Sequence, residues 1–186
     1  MLLYRISQSV STPYDTNNKE HEDKLLELWN KMMPNTPLET RISKQWVDIG
    51  FQGNDPATDF RGMGIQGLND LLYFVNHYPD QVHSILQHAS HPVYWYPYAI
   101  VGINITRFAY RLLESKKLQM YLFKYGLAYE EFYCYLFYHF NRFWSSFSVI
   151  EFEQRFIEFQ GVIEKDLIQQ NIKPLNTYNK EYTNIQ

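Results

Sequence analysis

Apolar residues recur at helical spacing along most of the chain. In residues 19–33 they follow the i, i+3, i+4, i+7 pattern of one helix face, at Leu25, Leu28, Trp29 and Met32. The same spacing predicts helices over residues 44–49, 63–77, 79–89, 96–113, 129–145 and 148–171, with a shorter one ending near Tyr125. No segment shows the strict alternation of a half-buried strand. The pattern therefore predicts an all-α fold.

The length and composition indicate one folded unit. The chain has 186 residues, of which 45% are hydrophobic and 18% aromatic, and this supplies enough apolar surface for a single packed core. The segments at the two ends are rich in Ser, Thr, Asn, Gln and Lys. We therefore expect a flexible leader over residues 1–18, one compact domain over 19–173 and a flexible tail over 174–186.

Charge and cysteine content exclude several functional classes. The formal net charge is −3 and no basic stripe is visible, which argues against nucleic-acid binding. The single cysteine, Cys134, cannot form an intramolecular disulfide, and the sequence contains no complete set of metal ligands. It also contains no signal peptide and no membrane-spanning apolar stretch. We expect a cytoplasmic protein without a metal site, with at most peripheral association with organelle membranes.

Residues 46–64 form the most unusual segment of the chain. Four of the eight glycines, at positions 50, 53, 62 and 64, fall within fifteen residues, together with the Asp55-Pro56 pair. Glycine permits backbone conformations closed to other residues and close approach by a partner. Proline fixes its own φ and disfavours a helical conformation at the residue before it. The segment is therefore predicted to be an ordered turn rather than a helix.

Arg61 has the clearest chemistry in this segment. Its guanidinium suits a carboxylate or a phosphate. It also precedes the helix predicted over 63–77, whose amino end is expected to attract anions. The alternative is a structural arginine, buried against Asp48, Asp55 or Asp59. The residues alone leave both interpretations open.

The order of residues in this segment resembles the signature of the ELMO domain. The matching positions are Trp46, Gly50 to Gly53, Asp55-Pro56, Thr58 to Gly62, Gly64, Gly67-Leu68, Leu71-Leu72 and Tyr73-Phe74. A match of this length, in order and without gaps, is specific, and the resemblance extends over about residues 20 to 170. It implies a single compact multi-helix domain with a glycine-rich functional turn. Gln66 stands where an apolar residue is expected in the family's leucine-rich helix.

The resemblance implies one of two functions. Stand-alone ELMO-domain proteins are GTPase-activating proteins for Arf and Arl small GTPases, so a GTP-bound partner of this kind is expected. Larger engulfment-and-motility scaffolds use the domain in a Rac exchange-factor complex and lack the equivalent of Arg61, so the short chain and its arginine favour the first function. The alternative is a non-catalytic docking module that binds a small GTPase or a Dock-type exchange factor. No cofactor of its own is expected, because the GTPase carries GTP and Mg²⁺.

The resemblance also suggests roles for individual residues. Arg61 is the catalytic candidate, an arginine finger supplied in trans. The residues expected to support its turn are Gln52, Gly53, Asp55, Pro56, Thr58, Asp59, Phe60, Gly62 and Gly64, and those expected to have structural roles are Trp46, Gly50 and Phe51. On spacing alone, and not from the resemblance, Asp59 would either hold the guanidinium or cap the following helix. Gln52 would either orient the attacking water or form a structural hydrogen bond to the turn.

Overall fold

The computed structural model describes residues 1–176, and every regular element in this range is helical. The α-helices are α1 (Leu2–Ser11), α2 (Lys19–Met32), α3 (Gly64–His77), α4 (Pro79–Ala89), α5 (Tyr98–Glu114), α6 (Gln119–Tyr125), α7 (Tyr129–Phe143) and α8 (Phe152–Ile168). The 3₁₀ segments are η1 (Lys44–Ile49), η2 (Pro56–Gly62) and η3 (Val149–Glu151). The all-α prediction is confirmed, and the helices expected from apolar spacing lie at or near their predicted limits.

Local sequence sets several helix ends. The side chains of Asn18 and Ser43 accept hydrogen bonds from backbone N–H groups at the starts of α2 and η1. Ser148 and Glu151 form a reciprocal capping box ahead of α8. Gly126 ends α6 in the left-handed conformation, with φ of 60°. These groups satisfy backbone donors and acceptors that a helix leaves free at its ends.

Helix α3 lies at the centre of the fold. It contacts α1, α2, α4, α5 and α7. The three helices α3, α5 and α7 meet at Gly102 of α5, where a Cβ atom would lie 2.5 Å from the side chain of Leu71 and 2.9 Å from the hydroxyl of Tyr133. That hydroxyl donates a hydrogen bond to the carbonyl of Gly102 at 3.3 Å. Close packing of the three helices therefore depends on the absence of a side chain at this position.

Helix α8 packs through an aromatic stripe. Phe156, Phe159 and Ile163 are its buried residues. The ring centroid of Phe159 lies 5.4 Å from that of Phe140 in α7 and 6.4 Å from that of Phe108 in α5. Aromatic pairs at these separations stabilise the fold by more than the burial of their apolar area alone. The stripe therefore holds α8 against α5 and α7.

The expectation of a flexible leader is wrong for residues 2–11, which form α1. Leu2, Ile6 and Val10 recur at i, i+4 spacing, so that Ile6 is fully buried and the other two pack against the core. The carbonyl of Thr12 then accepts a hydrogen bond from the backbone N–H of Ile65 at 2.8 Å. The folded unit therefore includes α1.

The expected flexible tail lies largely outside the described residues, because the structure describes nothing beyond residue 176. Before that point the chain is packed on the domain. Ile172 and Leu175 are both buried, with exposed fractions of 2% and 0%. The packed region therefore extends past the expected limit at residue 173.

The helices do not match a membrane span. The longest, α5 and α8, have 17 residues each. Among residues 1–176, none of the helices combines the length and the apolar character needed to cross a bilayer.

Candidate functional site

The glycine-rich segment folds around η2. The prediction of a turn without helix is wrong for Pro56–Gly62, which form this 3₁₀ segment. Pro56 occupies a first-turn position, where its missing N–H leaves no hydrogen bond unmade. Oδ1 of Asp55 accepts a hydrogen bond from the N–H of Ala57 at 3.1 Å, and the hydroxyl of Thr58 donates to the carbonyl of Asp55 at 3.1 Å. Asp55 and Pro56 thus start a short helix.

A partly buried ionic cluster anchors η2 to α2. Arg41 donates through Nε and Nη2 to the carboxylate of Glu22, and through Nη1 to Oδ1 of Asp55 at 3.0 Å. The hydroxyl of Tyr14 donates to Oε1 of Glu22 at 2.6 Å. Burial and this hydrogen bond raise the pKa of Tyr14. We call Tyr14, Glu22, Arg41 and Asp55 the Arg41 cluster. Because a guanidinium fixes geometry as well as charge, Arg41 holds Asp55 where it caps η2.

A row of aromatic rings supports the segment on its core side. Trp46, Phe51 and Phe60 are all buried. The ring centroids lie 5.7 Å apart from Trp46 to Phe51, 5.7 Å from Phe51 to Phe60 and 5.4 Å from Phe60 to Tyr14. Trp46 also donates its Nε1–H to the carbonyl of Arg41 at 2.9 Å. The row joins η1, η2 and the Arg41 cluster in one packed unit.

The glycines of the segment have different structural requirements. Gly50 has φ of 85°, and a Cβ atom there would lie 2.1 Å from the backbone nitrogen of Tyr98. Gly64 has φ of 54°, and its Cβ atom would lie 2.4 to 2.8 Å from three backbone oxygens. The fold therefore requires glycine at both positions. Gly53 has no atom within 4 Å of a Cβ position, and Gly62 is crowded only by an arginine side chain from α5.

The amino end of α3 is covered by α1. The oxygens crowding Gly64 belong to residues 9–12, and the N–H of Ile65 donates to one of them. The carbonyl end of one helix therefore faces the amino end of the other, and the hydrogen bond between them satisfies one backbone group of each. The expectation that this helix end attracts an anion beside Arg61 is wrong, because carbonyl oxygens already occupy the space in front of it.

Arg61 lies exposed on the last turn of η2. Its Nε–H donates to the carbonyl of Thr58 at 3.2 Å. Within the described part of the chain it has no ion pair, and Nη1 and Nη2 have no hydrogen-bond partner. The alternative of a structural arginine buried against Asp48, Asp55 or Asp59 is therefore wrong. One hydrogen bond orients the side chain. The Nη1 and Nη2 groups, which can bind carboxylate or phosphate oxygens, make no contact of this kind within residues 1–176.

Asp59 and Gln52 are joined, but not as expected. Oδ2 of Asp59 accepts a hydrogen bond from the backbone N–H of Gln52 at 3.0 Å, so Asp59 neither pairs with Arg61 nor caps α3. Burial raises the pKa of Asp59, and the N–H of Gln52 and the charge of Arg61 oppose that rise. The Gln52 side chain is exposed and makes no hydrogen bond to any residue of 1–176. The expected structural bond comes from its backbone instead, and its amide group is available to a partner.

An open apolar groove begins at Gln52. It has a volume of about 830 Å³ and lies between η1, the end of α4 and the segment that precedes α5. Val47 and Trp95 line it and are 52% and 46% exposed. Exposed apolar side chains grouped around a groove are typical of a surface that receives a partner.

Comparison with known proteins identifies the family. The sequence model of the ELMO/CED-12 family matches residues 4–161, which is most of the chain and contains the whole of the glycine-rich segment. The chain belongs to the ELMO/CED-12 family. The match begins inside α1, so the ELMO domain starts ahead of the predicted limit at residue 19, in agreement with the packing of α1 on α3.

Several curated relatives are named for the same domain. ELMO domain-containing protein 2 of Bos taurus is 51% identical over 149 residues, which cover 76% of this chain and 51% of the relative. ELMO domain-containing protein 1 of Mus musculus is 40% identical over 189 residues, covering 88% and 56%. ELMO domain-containing protein B of Dictyostelium discoideum is 41% identical over 172 residues, covering 88% and 60%. This ELMO-family chain therefore spans little more than half the length of these relatives.

Sequence patterns did not reveal the Arg41 cluster of this ELMO domain. Arg41 lies 14 residues from Asp55 and 19 from Glu22, and no periodicity or motif links these positions. Tyr14 belongs to a segment that was expected to be flexible. The contacts arise only when the segment after α2 folds back on that helix, so no local signal could have identified them.

Proposed function

We propose that this chain is a GTPase-activating protein for small GTPases of the Arf and Arl kind. In this proposal Arg61 enters the nucleotide pocket of a GTP-bound partner and acts in trans as an arginine finger. The chain accelerates its partner's reaction and is not a self-contained enzyme. GTP and Mg²⁺ belong to the GTPase, so the chain uses no cofactor of its own. It acts in the cytoplasm or at the surface of the organelle membrane that its partner occupies.

The state of the Arg61 side chain carries the proposal. The side chain is exposed on a short helix, and its Nε–H is held by the carbonyl of Thr58. An arginine that serves the fold is paired, as Arg41 is with its two carboxylates. Arg61 has no such partner among residues 1–176. Membership of the ELMO/CED-12 family, whose proteins are linked to small-GTPase signalling, supports the same function.

The mechanism follows from the charge of the guanidinium. During phosphoryl transfer, negative charge is spread over the oxygens of the transferred group, and a positioned cation stabilises it without a covalent step. The carbonyl of Thr58 orients Arg61 before the partner arrives, so less side-chain freedom is lost on docking. The Arg41 cluster fixes Asp55, and Asp55 in turn fixes η2, the short helix that carries both Thr58 and Arg61. An arginine finger contributes on the order of 10³ to 10⁵ in rate.

A second candidate is a docking module that does not accelerate hydrolysis. The observation that favours it is the apolar groove beside Gln52, with Trp95 and Val47 exposed on its lining. Such a surface binds a small GTPase or a Dock-type exchange factor through apolar burial, whatever Arg61 does. The two candidates agree on binding and differ in the rate of hydrolysis.

Single-turnover GTP hydrolysis distinguishes the two candidates. Wild type and Arg61→Lys are compared on a panel of GTP-loaded Arf, Arl, Rab and Rac proteins, and binding is measured with a non-hydrolysable GTP analogue. Lysine keeps the charge and loses the planar fork, so the acceleration should fall by on the order of 10² or more while the Kd changes little. Arg155→Lys on α8 is the control. Binding without acceleration by the wild type would overturn the finger and favour the docking module.

A further inference from the structure

Two arginines form no ion pair with any residue that the structure describes. All seven arginines lie within residues 1–176. Within that range Arg61 and Arg107 have neither an ion pair nor an aromatic ring beneath the guanidinium, and Arg107 makes no hydrogen bond. The other five are Arg5, Arg41, Arg111 and Arg155, which pair with carboxylates, and Arg142, which lies over the ring of Tyr138.

Both unpaired arginines adjoin Gly62, Arg61 as the preceding residue and Arg107 from the neighbouring helix. Arg107 belongs to α5, which packs against η2, and it is exposed. Its Nη2 lies 2.4 Å from the position that a Cβ atom would take on Gly62, the residue after Arg61. The guanidinium therefore occupies space that any other residue at position 62 would fill. Arg107 therefore lies beside the short stretch of backbone that carries Arg61.

Within residues 1–176 no carboxylate forms an ion pair with either arginine, although the charge of Arg61 lowers the pKa of Asp59. Asp59 is the acidic residue of η2, and its Oδ2 accepts the N–H of Gln52. An exposed guanidinium without an ion pair can bind an anionic group on a partner protein. The chain carries 20 acidic residues against 17 basic ones, so an intramolecular partner was available in principle. The surface around Gly62 is therefore complementary to an acidic partner.

We propose that Arg107 is a docking residue that binds a carboxylate on the surface of the GTPase, beside the nucleotide pocket that Arg61 enters. This inference rests on the proposed function. The two arginines have separate tasks because their side chains are held differently. Arg61 projects its free Nη groups from η2, whereas Arg107 lies against the backbone of that turn from the neighbouring helix. Arg61 contacts the transferred phosphoryl group, and Arg107 binds a carboxylate on the protein surface around the nucleotide pocket.

The test compares Arg107 with the next arginine of the same helix. Arg111 is one turn further along α5 and is also exposed, but it is already paired with Glu164 of α8. We expect Arg107→Ala to raise both the KM and the Kd for the GTP-loaded partner about fivefold, with kcat unchanged, because an exposed ion pair contributes modestly to affinity. Its binding should also depend less on salt concentration. Arg107→Lys should retain most of the affinity, and Arg111→Ala should change neither constant.

Three results would overturn this role. Arg107→Ala could behave like Arg111→Ala in affinity and salt dependence, which would leave Arg107 as a solvated surface residue. It could lower kcat without changing KM, which would mean that Arg107 contacts the transferred phosphoryl group. No binding to any GTP-loaded GTPase would overturn both this inference and the proposed function. A wild type that binds without accelerating hydrolysis would overturn the finger alone, because the Kd and its salt dependence still test Arg107.

Discussion

Asp70 is a buried carboxyl group whose ionisation should oppose folding. It lies in α3 with 0% of its surface exposed, and its Oδ1 accepts a hydrogen bond from Nε2 of Gln66 at 2.7 Å. Oδ2 has no hydrogen-bond partner within residues 1–176. Burial raises the pKa of Asp70 to about 8, although Thr106 and Gln66 oppose the rise. The negative charge of Glu130 raises the pKa of Asp70 further, and the positive charge of Arg5 lowers it.

The raised pKa makes stability fall as pH rises. Below pH 3.8 Asp70 is protonated in both states, and between that value and about 8 only the native state keeps the proton. Each unit of pKa difference corresponds to about 1.4 kcal/mol, so the free energy of unfolding should lose about 4 kcal/mol between pH 4 and pH 7 from this group. Asp70→Asn keeps an oxygen that can accept from Gln66 and cannot ionise. It should therefore remove this dependence on pH.

Urea unfolding at a series of pH values tests this reasoning. Unfolding of wild type and Asp70→Asn is followed by tryptophan fluorescence from pH 5 to pH 8. The variant should gain stability over the wild type steadily as pH rises, by a few kcal/mol across the range. Asp48→Asn, at an exposed carboxylate, is the control and should run parallel to the wild type. A constant difference between wild type and Asp70→Asn across the series would refute the buried, protonated state of Asp70.

Two further substitutions test the support of the Arg61 turn. Gly64→Ala should destabilise the protein by about 3 kcal/mol or more, because its Cβ would meet backbone oxygens of α1. Gly126→Ala, at a similar φ of 60° with open space around it, should lose only about 1 kcal/mol in urea unfolding, and equal losses would contradict this account. Arg41→Met should lose about 2 kcal/mol, since it leaves two half-buried carboxylates unpaired. If thermal unfolding showed no larger loss than for Arg155→Met, the anchoring role of the Arg41 cluster would be wrong.

Local signals were sufficient to predict most of the helices. Pro79 at the first position of α4, the Ser148 capping box and Gly126 after α6 each act through their own backbone neighbours. Their effect can therefore be recognised without knowledge of the fold. The glycine-rich segment could be identified in the same way. A positive φ favours glycine whatever the distant contacts are, and Gly50 and Gly64 both have one.

Features that depend on distant contacts could not be predicted. The polar residues of α1 concealed the stripe of Leu2, Ile6 and Val10, and the helix is held by its packing on α3 and α5. Asp59 was matched with Arg61 on spacing, yet its carboxylate is engaged by the backbone of Gln52. Sequence proximity does not specify which of several nearby donors a carboxylate meets.

Gln66 illustrates the same limit from within a helix. It interrupts the apolar face expected for α3, and it is nevertheless buried, with 2% of its surface exposed. Its partner is Asp70, one turn further along the same helix. The i, i+4 spacing of the pair was visible in the sequence. Burial of both residues follows only from the position of α3 at the centre of the fold.

Affinity for a transition-state mimic tests the central claim most directly. A GTPase loaded with GDP and aluminium fluoride presents the charge distribution of the transferred phosphoryl group, and an arginine finger should bind that state selectively. The account predicts that wild type binds this complex at least about tenfold more tightly than the same GTPase loaded with GDP or with a GTP analogue. Arg61→Lys should lose this preference while keeping its affinity for the GTP-analogue state. Equal preference in wild type and Arg61→Lys would contradict the assignment of Arg61 as the finger.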